Sequence, residues 1–173
     1  GGGPGPAGAG GRREWTGANG EKVGQKLACQ PGSYVVAVAY DITNSGSAPF
    51  APYAYFQLTR DTRAAVVQSS MAPSAYTGPV IYNETDKFKK VDFGELDKVA
   101  ADPSRKLPYT KTADNGWVGM VEHYFVAAWL PSDSEKTPRE CYAKKLDNGL
   151  YAEGCLVQAA SIPPGATGEI KVP

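Results

Sequence analysis

The sequence predicts an all-β fold of antiparallel strands with one short helix. Twenty glycines and fourteen prolines divide the 173 residues into short segments, which is typical of a turn-rich β protein. Ten tyrosines add residues that favour strands. A chain of this length can bury one sizeable core, roughly 70% of its unfolded surface. We therefore expect one β domain rather than a bundle of helices.

The first half of the chain reads as a lead-in followed by strands. Residues 1–11 are glycine with two prolines and two alanines, which predicts a flexible segment before a single domain at residues 12–173. Strands are predicted at 13–16 and 21–29, around an Asn19-Gly20 turn. In residues 33–43 the alternation predicts that Tyr34, Val36, Val38, Tyr40 and Ile42 face the core. Residues 53–60 are expected to return as the partner of that strand.

The second half contains the predicted helix. Asp92 and Glu95 have the spacing of a capping box, so the helix should span residues 93–101 and stop before Pro103. Strand segments are expected at 76–82 and 86–91, on both sides of Asp147-Asn148-Gly149, and at 168–172. Residues 64–73 are weakly patterned, and a charged loop should follow Pro131.

Residues 116–131 (GWVGMVEHYFVAAWLP) form the longest apolar run. Read as one strand, Trp117, Val121, Phe125 and Trp129 share one face with His123, and Glu122 lies on the other. Both faces are largely apolar, which favours a central strand buried on both sides over a buried helix.

The same run resembles the signature of the YidC family of bacterial membrane protein insertases. The family pattern, Gly-Trp-x-x-Met-x-x-x-Tyr-Phe-x-x-Ala-Trp-x-Pro, is matched at Gly116, Trp117, Met120, Tyr124, Phe125, Ala128, Trp129 and Pro131. A second match is the strand ending at Gln57, Leu58, Arg60 and Asp61. The resemblance covers residues 15–173 and implies the C-terminal half to two-thirds of the family's periplasmic domain, an antiparallel β-supersandwich similar to galactose mutarotases.

The resemblance also implies a function. We expect a non-catalytic periplasmic domain of a bacterial inner-membrane protein, which assists membrane protein insertion and folding. Its implied partners are nascent membrane proteins and components of the Sec translocon, with membrane anchoring only through helices outside this chain. The alternative is a secreted sugar-binding or sugar-modifying β-sandwich, for which Tyr53, Tyr55 and Tyr76 would supply stacking rings.

Composition argues against several other classes. Eighteen basic and 18 acidic residues balance, so no basic field is available for nucleic acid. No run is long enough for a membrane helix, and the start lacks the pattern of a signal peptide; the chain as given is expected to be soluble. Lys87, Lys89, Lys90 and Lys98 suggest a docking patch or, more simply, a solvated face.

The sequence predicts no catalytic, metal or cofactor-binding residues. His123 is the one histidine, and on a strand its side chain would point away from that of Glu122, so the pair would not converge on one proton. We expect a hydrogen-bonded core histidine. The glycine tract lacks the ending of a phosphate loop.

Cys141 and Cys155 are the disulfide candidates. A three-residue loop at residues 147–149 places them directly opposite each other, whereas a two-residue Asn-Gly loop puts them on opposite faces. Glycine in third place favours the longer loop, and an oxidising periplasm permits the bond. Two buried free thiols are the alternative, and Cys29 is expected to stay unpaired.

Overall fold

A computed structural model describes residues 10–63, 76–131 and 138–172 of the chain. The contacts divide the chain into two compact units, unit 1 (residues 1–54 and 158–173) and unit 2 (residues 55–157). The described residues form one helix and twelve strands: β1 Gly10–Thr16, β2 Glu21–Cys29, β3 Val36–Asn44, β4 Tyr53–Arg60, β5 Gly78–Asn83, β6 Lys87–Lys90, α1 Phe93–Ala101, β7 Thr112–Ala113, β8 Trp117–Val121, β9 Val126–Trp129, β10 Arg139–Lys145, β11 Tyr151–Gln158 and β12 Thr167–Val172. The predicted all-β class with one short helix is confirmed.

Unit 1 contains a four-stranded sheet in the order β1-β2-β3-β12. Its three strand pairs are antiparallel. Gly20 ends the turn between β1 and β2 with a φ of 90°, a conformation that glycine adopts freely. Val38 and Ile42 are buried as the alternation predicts. Tyr34 and Val36 are exposed, so the predicted core face of this strand is wrong over its first residues.

The strand after β3 does not return beside it. β3 pairs with β2 and β12, whereas β4 neighbours β11 in another sheet, so the predicted pairing of residues 33–43 with 53–60 is wrong. The buried Asn44 explains the departure. Its side-chain amide donates to the carbonyls of Ala48 and Ile162, each at 2.8 Å, and an antiparallel bridge joins Phe50 to Ile162. These bonds lead the chain out of the first sheet.

Unit 2 encloses an apolar core between two sheets, in the orders β4-β11-β10-β7 and β6-β5-β8-β9. The core joins side chains from both sheets and from α1: Ile81, Val91, Leu96, Tyr109, Val118, Cys141, Ala143, Tyr151 and Cys155. The boundary between the two units falls inside β4, after Ala54. This core positions the strand edges that are described below.

The signature run is a hairpin, not one strand. β8 ends at Val121, β9 begins at Val126, and the Glu122 N–H donates to the Phe125 carbonyl at 2.7 Å. His123 and Tyr124 therefore form a two-residue turn. The turn has no glycine or asparagine, the usual residues of tight hairpins, so the sequence carries no sign of it beyond the polar Glu-His pair.

The helix bounds agree with the prediction, but the capping mechanism does not. α1 spans Phe93–Ala101 with Asp92 as its N-cap, and the Asp92 side chain makes no capping hydrogen bond. Glu95 instead forms ion pairs with Lys98 at 2.5 Å and with Arg105 at 3.2 Å. Arg105 lies beyond the helix, so this carboxylate fixes the following loop rather than the first turn.

Two stretches of the sequence interpretation lie outside the described residues, at 64–73 and at 132–137 of the charged loop. The same holds for residues 1–9 of the predicted lead-in. Gly10 and Gly11 of that lead-in belong to β1, opposite Ala28 and Leu27 of β2. The backbone of glycine has the same N–H and C=O groups as other residues, so it can pair with a neighbouring strand.

Candidate functional site

Among the described residues of unit 2, the β8–β9 hairpin presents the most continuous exposed apolar surface. Tyr124, Phe125 and Val126 are consecutive and are 82%, 75% and 64% exposed. Exposed apolar side chains grouped in this way are typical of interaction sites rather than of a random surface. We name these three residues the hairpin tip.

A groove of about 320 Å³ runs beside the hairpin tip. β4 supplies one wall and the hairpin the other, and the lining residues are Leu58, Thr59, Arg60, Met120, Glu122, Phe125, Val126 and Ala127. The two charged members form an ion pair, with Arg60 Nη1 at 2.8 Å from Glu122 Oε1. The groove therefore has apolar walls, and its charges neutralise each other.

β9 forms the outer edge of its sheet. Because Glu122 and Phe125 share a backbone hydrogen bond, and because bonded and non-bonded pairs alternate along antiparallel strands, Val121 and Val126 form a non-bonded pair. So do Gly119 and Ala128, which face each other in the register. The backbone N–H and C=O groups of Val126 and Ala128 thus point away from β8, towards the open edge.

His123 lies in the turn and not among core aromatics. It is half-buried, and its ring contacts Tyr124 edge-on with the centroids 4.1 Å apart. The predicted core histidine on a central strand is therefore wrong, for the same reason that the single strand is wrong. Glu122, the adjacent residue, pairs with Arg60.

The tryptophans flank the hairpin at its other end. Trp129 packs against Phe56 with ring centroids 5.1 Å apart, and Trp117 stacks on Tyr82 at 6.0 Å. Both tryptophans are half-buried, which is less burial than a central strand would give them. They hold the base of the hairpin while its tip remains exposed.

The three candidate tyrosines have different environments. Tyr53 and Tyr55 are 62% and 65% exposed. The Tyr76 hydroxyl donates to the Pro79 carbonyl at 2.6 Å and accepts the Val91 N–H at 3.1 Å. Burial raises the pKa of Tyr76 to about 12. Tyr76 is a structural residue that joins β5 to the start of the helical segment.

The four candidate lysines lie on two different elements, β6 and α1. Lys87, Lys89 and Lys90 are exposed on β6, with Lys90 Nζ 4.9 Å from the centre of the Tyr76 ring. Lys98 is paired with Glu95 on the helix. This distribution is the one expected of a solvated surface.

A buried carboxyl group, Glu153, was missed by the sequence analysis. It is 0% exposed, and neither carboxyl oxygen has a hydrogen-bond partner in the described structure. On β11 it lies on the same strand face as Tyr151 and Cys155, two residues to either side, so its side chain enters the core of unit 2. Burial raises the pKa of Glu153 to about 8, although the nearby Val80 backbone acts in the opposite direction.

The β10–β11 hairpin has the predicted register. Cys141 lies opposite Cys155 and Lys144 opposite Ala152, while Gly149 takes a φ of 80° in the three-residue loop. The two Cα atoms are 4.0 Å apart, and the sulfur atoms are bonded at 1.96 Å. Both cysteines are buried in the core of unit 2.

We predict that this disulfide forms in the native protein. Thiol titration of the unfolded, unreduced chain should count one free cysteine, which is the exposed Cys29. Titration after reduction supplies the control and should count all three cysteines of the sequence. Three free thiols before reduction would contradict the prediction.

No three His, Cys, Asp or Glu side chains within the described ranges are grouped so as to hold a metal ion. No described helix is long and apolar enough to cross a membrane.

The fold and the strand register define the class of this protein as an antiparallel β domain with one short helix. The sequence profile of the YidC periplasmic domain matches residues 12–173, and the chain belongs to this family.

The relatives of this chain include proteins named membrane protein insertase YidC. The protein from Dechloromonas aromatica (strain RCB) is 42% identical over 162 residues, which is 93% of this chain and 28% of the relative. The Nitrosospira multiformis protein is 43% identical over 142 residues, 82% of this chain and 23% of the relative. The Burkholderia cenocepacia protein is 40% identical over 152 residues, which is 88% of this chain and 26% of the relative. The chain thus spans about a quarter of the length of these relatives.

Proposed function

We propose that this chain is the periplasmic part of a bacterial membrane protein insertase, and that it assists the insertion and folding of inner-membrane proteins. The observation that carries the proposal is the family match over residues 12–173. Identities of about 40% to proteins named as insertases support it. The domain works by binding, with no catalysis of its own, beside the Sec translocon.

The surface that best suits this role is the hairpin tip with its groove. Its apolar walls suit the apolar segments that a membrane protein exposes before it is fully inserted. The Arg60–Glu122 pair leaves no unbalanced charge for such a segment to bury. A binding role also accounts for three apolar side chains that face solvent at a sheet corner.

Site-specific crosslinking in membranes tests the proposal. A photo-crosslinkable residue replaces Tyr124 in the full-length insertase that carries this domain, and a membrane protein is stalled on the ribosome during insertion. We expect crosslinks to the nascent chain and to Sec components. The matched control places the same residue at Lys22, an exposed position on β2. Equal labelling at both positions, or none at either, would contradict the proposal.

A further inference from the structure

We propose that β9 is a docking edge, on which one extended apolar polypeptide segment adds as an antiparallel or parallel strand. The inference deepens the proposed function and rests on it, because the segment would belong to a membrane protein undergoing insertion. The partner is defined by its chemistry: an extended backbone with free N–H and C=O groups, apolar side chains and no net charge.

The backbone of β9 supplies the first argument. The outward N–H and C=O groups of Val126 and Ala128 have no backbone partner among the described residues. An edge strand with unpaired groups is a template for a further strand, and strand addition is a common way for proteins to hold peptides. The edge carries no proline and no lysine, two residues that often protect edges.

Shape and charge supply the second argument. The groove of about 320 Å³ lies between the end of β4 and the β8–β9 hairpin, and Val126 and Ala127 of β9 contribute to its lining. One strand of side chains could fill such a space, while its backbone bonds to Val126 and Ala128. Of the described residues that line the groove, the charged ones are Arg60 and Glu122, and they are paired with each other. The groove therefore complements a neutral apolar segment and penalises a charged one.

The hairpin tip supplies the third argument, because it extends the apolar surface beyond the edge. Tyr124 and Phe125 are more than 70% exposed, and aromatic side chains give large contact area for little loss of freedom. A segment bound along β9 would meet Phe125 at the end of the groove. Backbone pairing would provide affinity that is independent of exact sequence, as a domain with many clients requires.

Peptide binding by the purified full-length insertase that carries this chain tests the inference. The probe is a fluorescent, end-blocked ten-residue peptide in which valine alternates with threonine between a terminal lysine and a terminal glutamate, so that its net charge is zero. A control peptide has proline in place of alternate threonines and cannot complete a strand ladder. We expect binding of the first peptide and at least tenfold weaker binding of the second.

Two variants of one residue separate the edge from the side chain. Val126→Pro removes an outward N–H and no hydrogen bond to β8, whereas Val126→Thr keeps the N–H and the branched shape. Proline is tolerated where an edge N–H faces solvent. We expect a loss of at least tenfold in peptide affinity for V126P and a change within twofold for V126T, with circular dichroism and thermal melts showing that both fold.

Amide exchange in the wild-type chain gives a readout that needs no variant. The amides of Val126 and Ala128 should exchange fast in the free chain and slow on adding the peptide. Those of Ala127 and Trp129, which bond to β8, should be slow in both. Unchanged exchange at Val126 and Ala128 with saturating peptide would overturn the docking edge.

The remaining outcomes identify other occupants. No peptide binding, together with dimers of the chain that V126P dissolves in sedimentation experiments, would show that a second copy occupies the edge and would overturn the inference. Equal binding by V126P and V126T would place the peptide elsewhere. Failure of peptide binding leaves the membrane crosslinks at Tyr124 intact, whereas failure of the proposed function removes the crosslinks and leaves peptide binding.

Discussion

Replacing Glu153 by glutamine is expected to raise the free energy of unfolding by about 3–4 kcal/mol at pH 7.5. The wild-type carboxyl group is fully buried without a hydrogen-bond partner in the described structure, and burial raises its pKa to about 8. The unfolded chain releases this proton near pH 4.5, the ordinary value. Between these two values the folded state must hold a proton that the unfolded state has lost.

The sign follows from this difference. Below pH 4.5 the group is protonated in both states and costs nothing through ionisation. As the pH rises towards 8, ionisation increasingly favours the unfolded chain, so stability falls across this window and levels off above it. The carboxyl groups with lowered pKa, such as Asp86 and Asp97, titrate below the window and do not mask the effect.

Urea unfolding of the wild type and of E153Q, at half-unit steps from pH 4 to 9, measures how the free energy of unfolding of each protein depends on pH. The two curves should coincide near pH 4 and separate steadily up to pH 8. Glu140→Gln, an exposed carboxyl group on the neighbouring strand β10, is the control for the loss of one charge. Parallel wild-type and E153Q curves would mean that the carboxyl group ionises in the folded protein without cost.

Replacing Gly116 by alanine is expected to cost about 3–4 kcal/mol of stability. Gly116 has a φ of 96°, and a Cβ atom there would lie 2.1 Å from the Tyr82 carbonyl oxygen. The backbone conformation alone costs about 1–3 kcal/mol for other residues, and the clash is with the backbone of β5, which cannot move aside without breaking the β5–β8 pairing.

Gly94→Ala is the matched control for this prediction. Gly94 lies in α1, and nothing lies within 4 Å of the position of its added Cβ, so alanine should stabilise the chain by about 0.5–1 kcal/mol. Denaturant unfolding of both variants gives the comparison. A loss below about 1 kcal/mol for G116A would show that β5 and β8 adjust freely at this point.

The sequence predicts the fold well where turn residues mark the ends of strands. Asn19-Gly20, Asp92 and Asp147-Asn148-Gly149 place β2, α1 and the β10–β11 register correctly. The signal fails at His123-Tyr124, since a turn without glycine or asparagine looks like a continuing strand. The prediction fails again after β3, where a single buried asparagine, Asn44, redirects the chain by hydrogen bonds, one of which reaches Ile162, 118 residues further along the sequence.

The candidate site, too, is predicted from the sequence only in part. The signature residues identify the family, but their periodicity conceals the fact that Tyr124 and Phe125 are exposed. Glu153 is missed because a single acidic residue on an alternating strand normally faces solvent. Its burial depends on the packing of unit 2 around it, which no local pattern records.

The order of the units along the chain has a consequence for synthesis. Unit 2 is continuous, at residues 55–157, whereas unit 1 is assembled from residues 1–54 and 158–173. β12, which pairs with β3 through Thr167 to Val172, follows every described strand of unit 2 along the chain. During synthesis from the N-terminus, unit 2 therefore has all of its described strands while β3 still lacks the neighbour that β12 provides. The sheet of β3 is begun before unit 2 and is completed only after it.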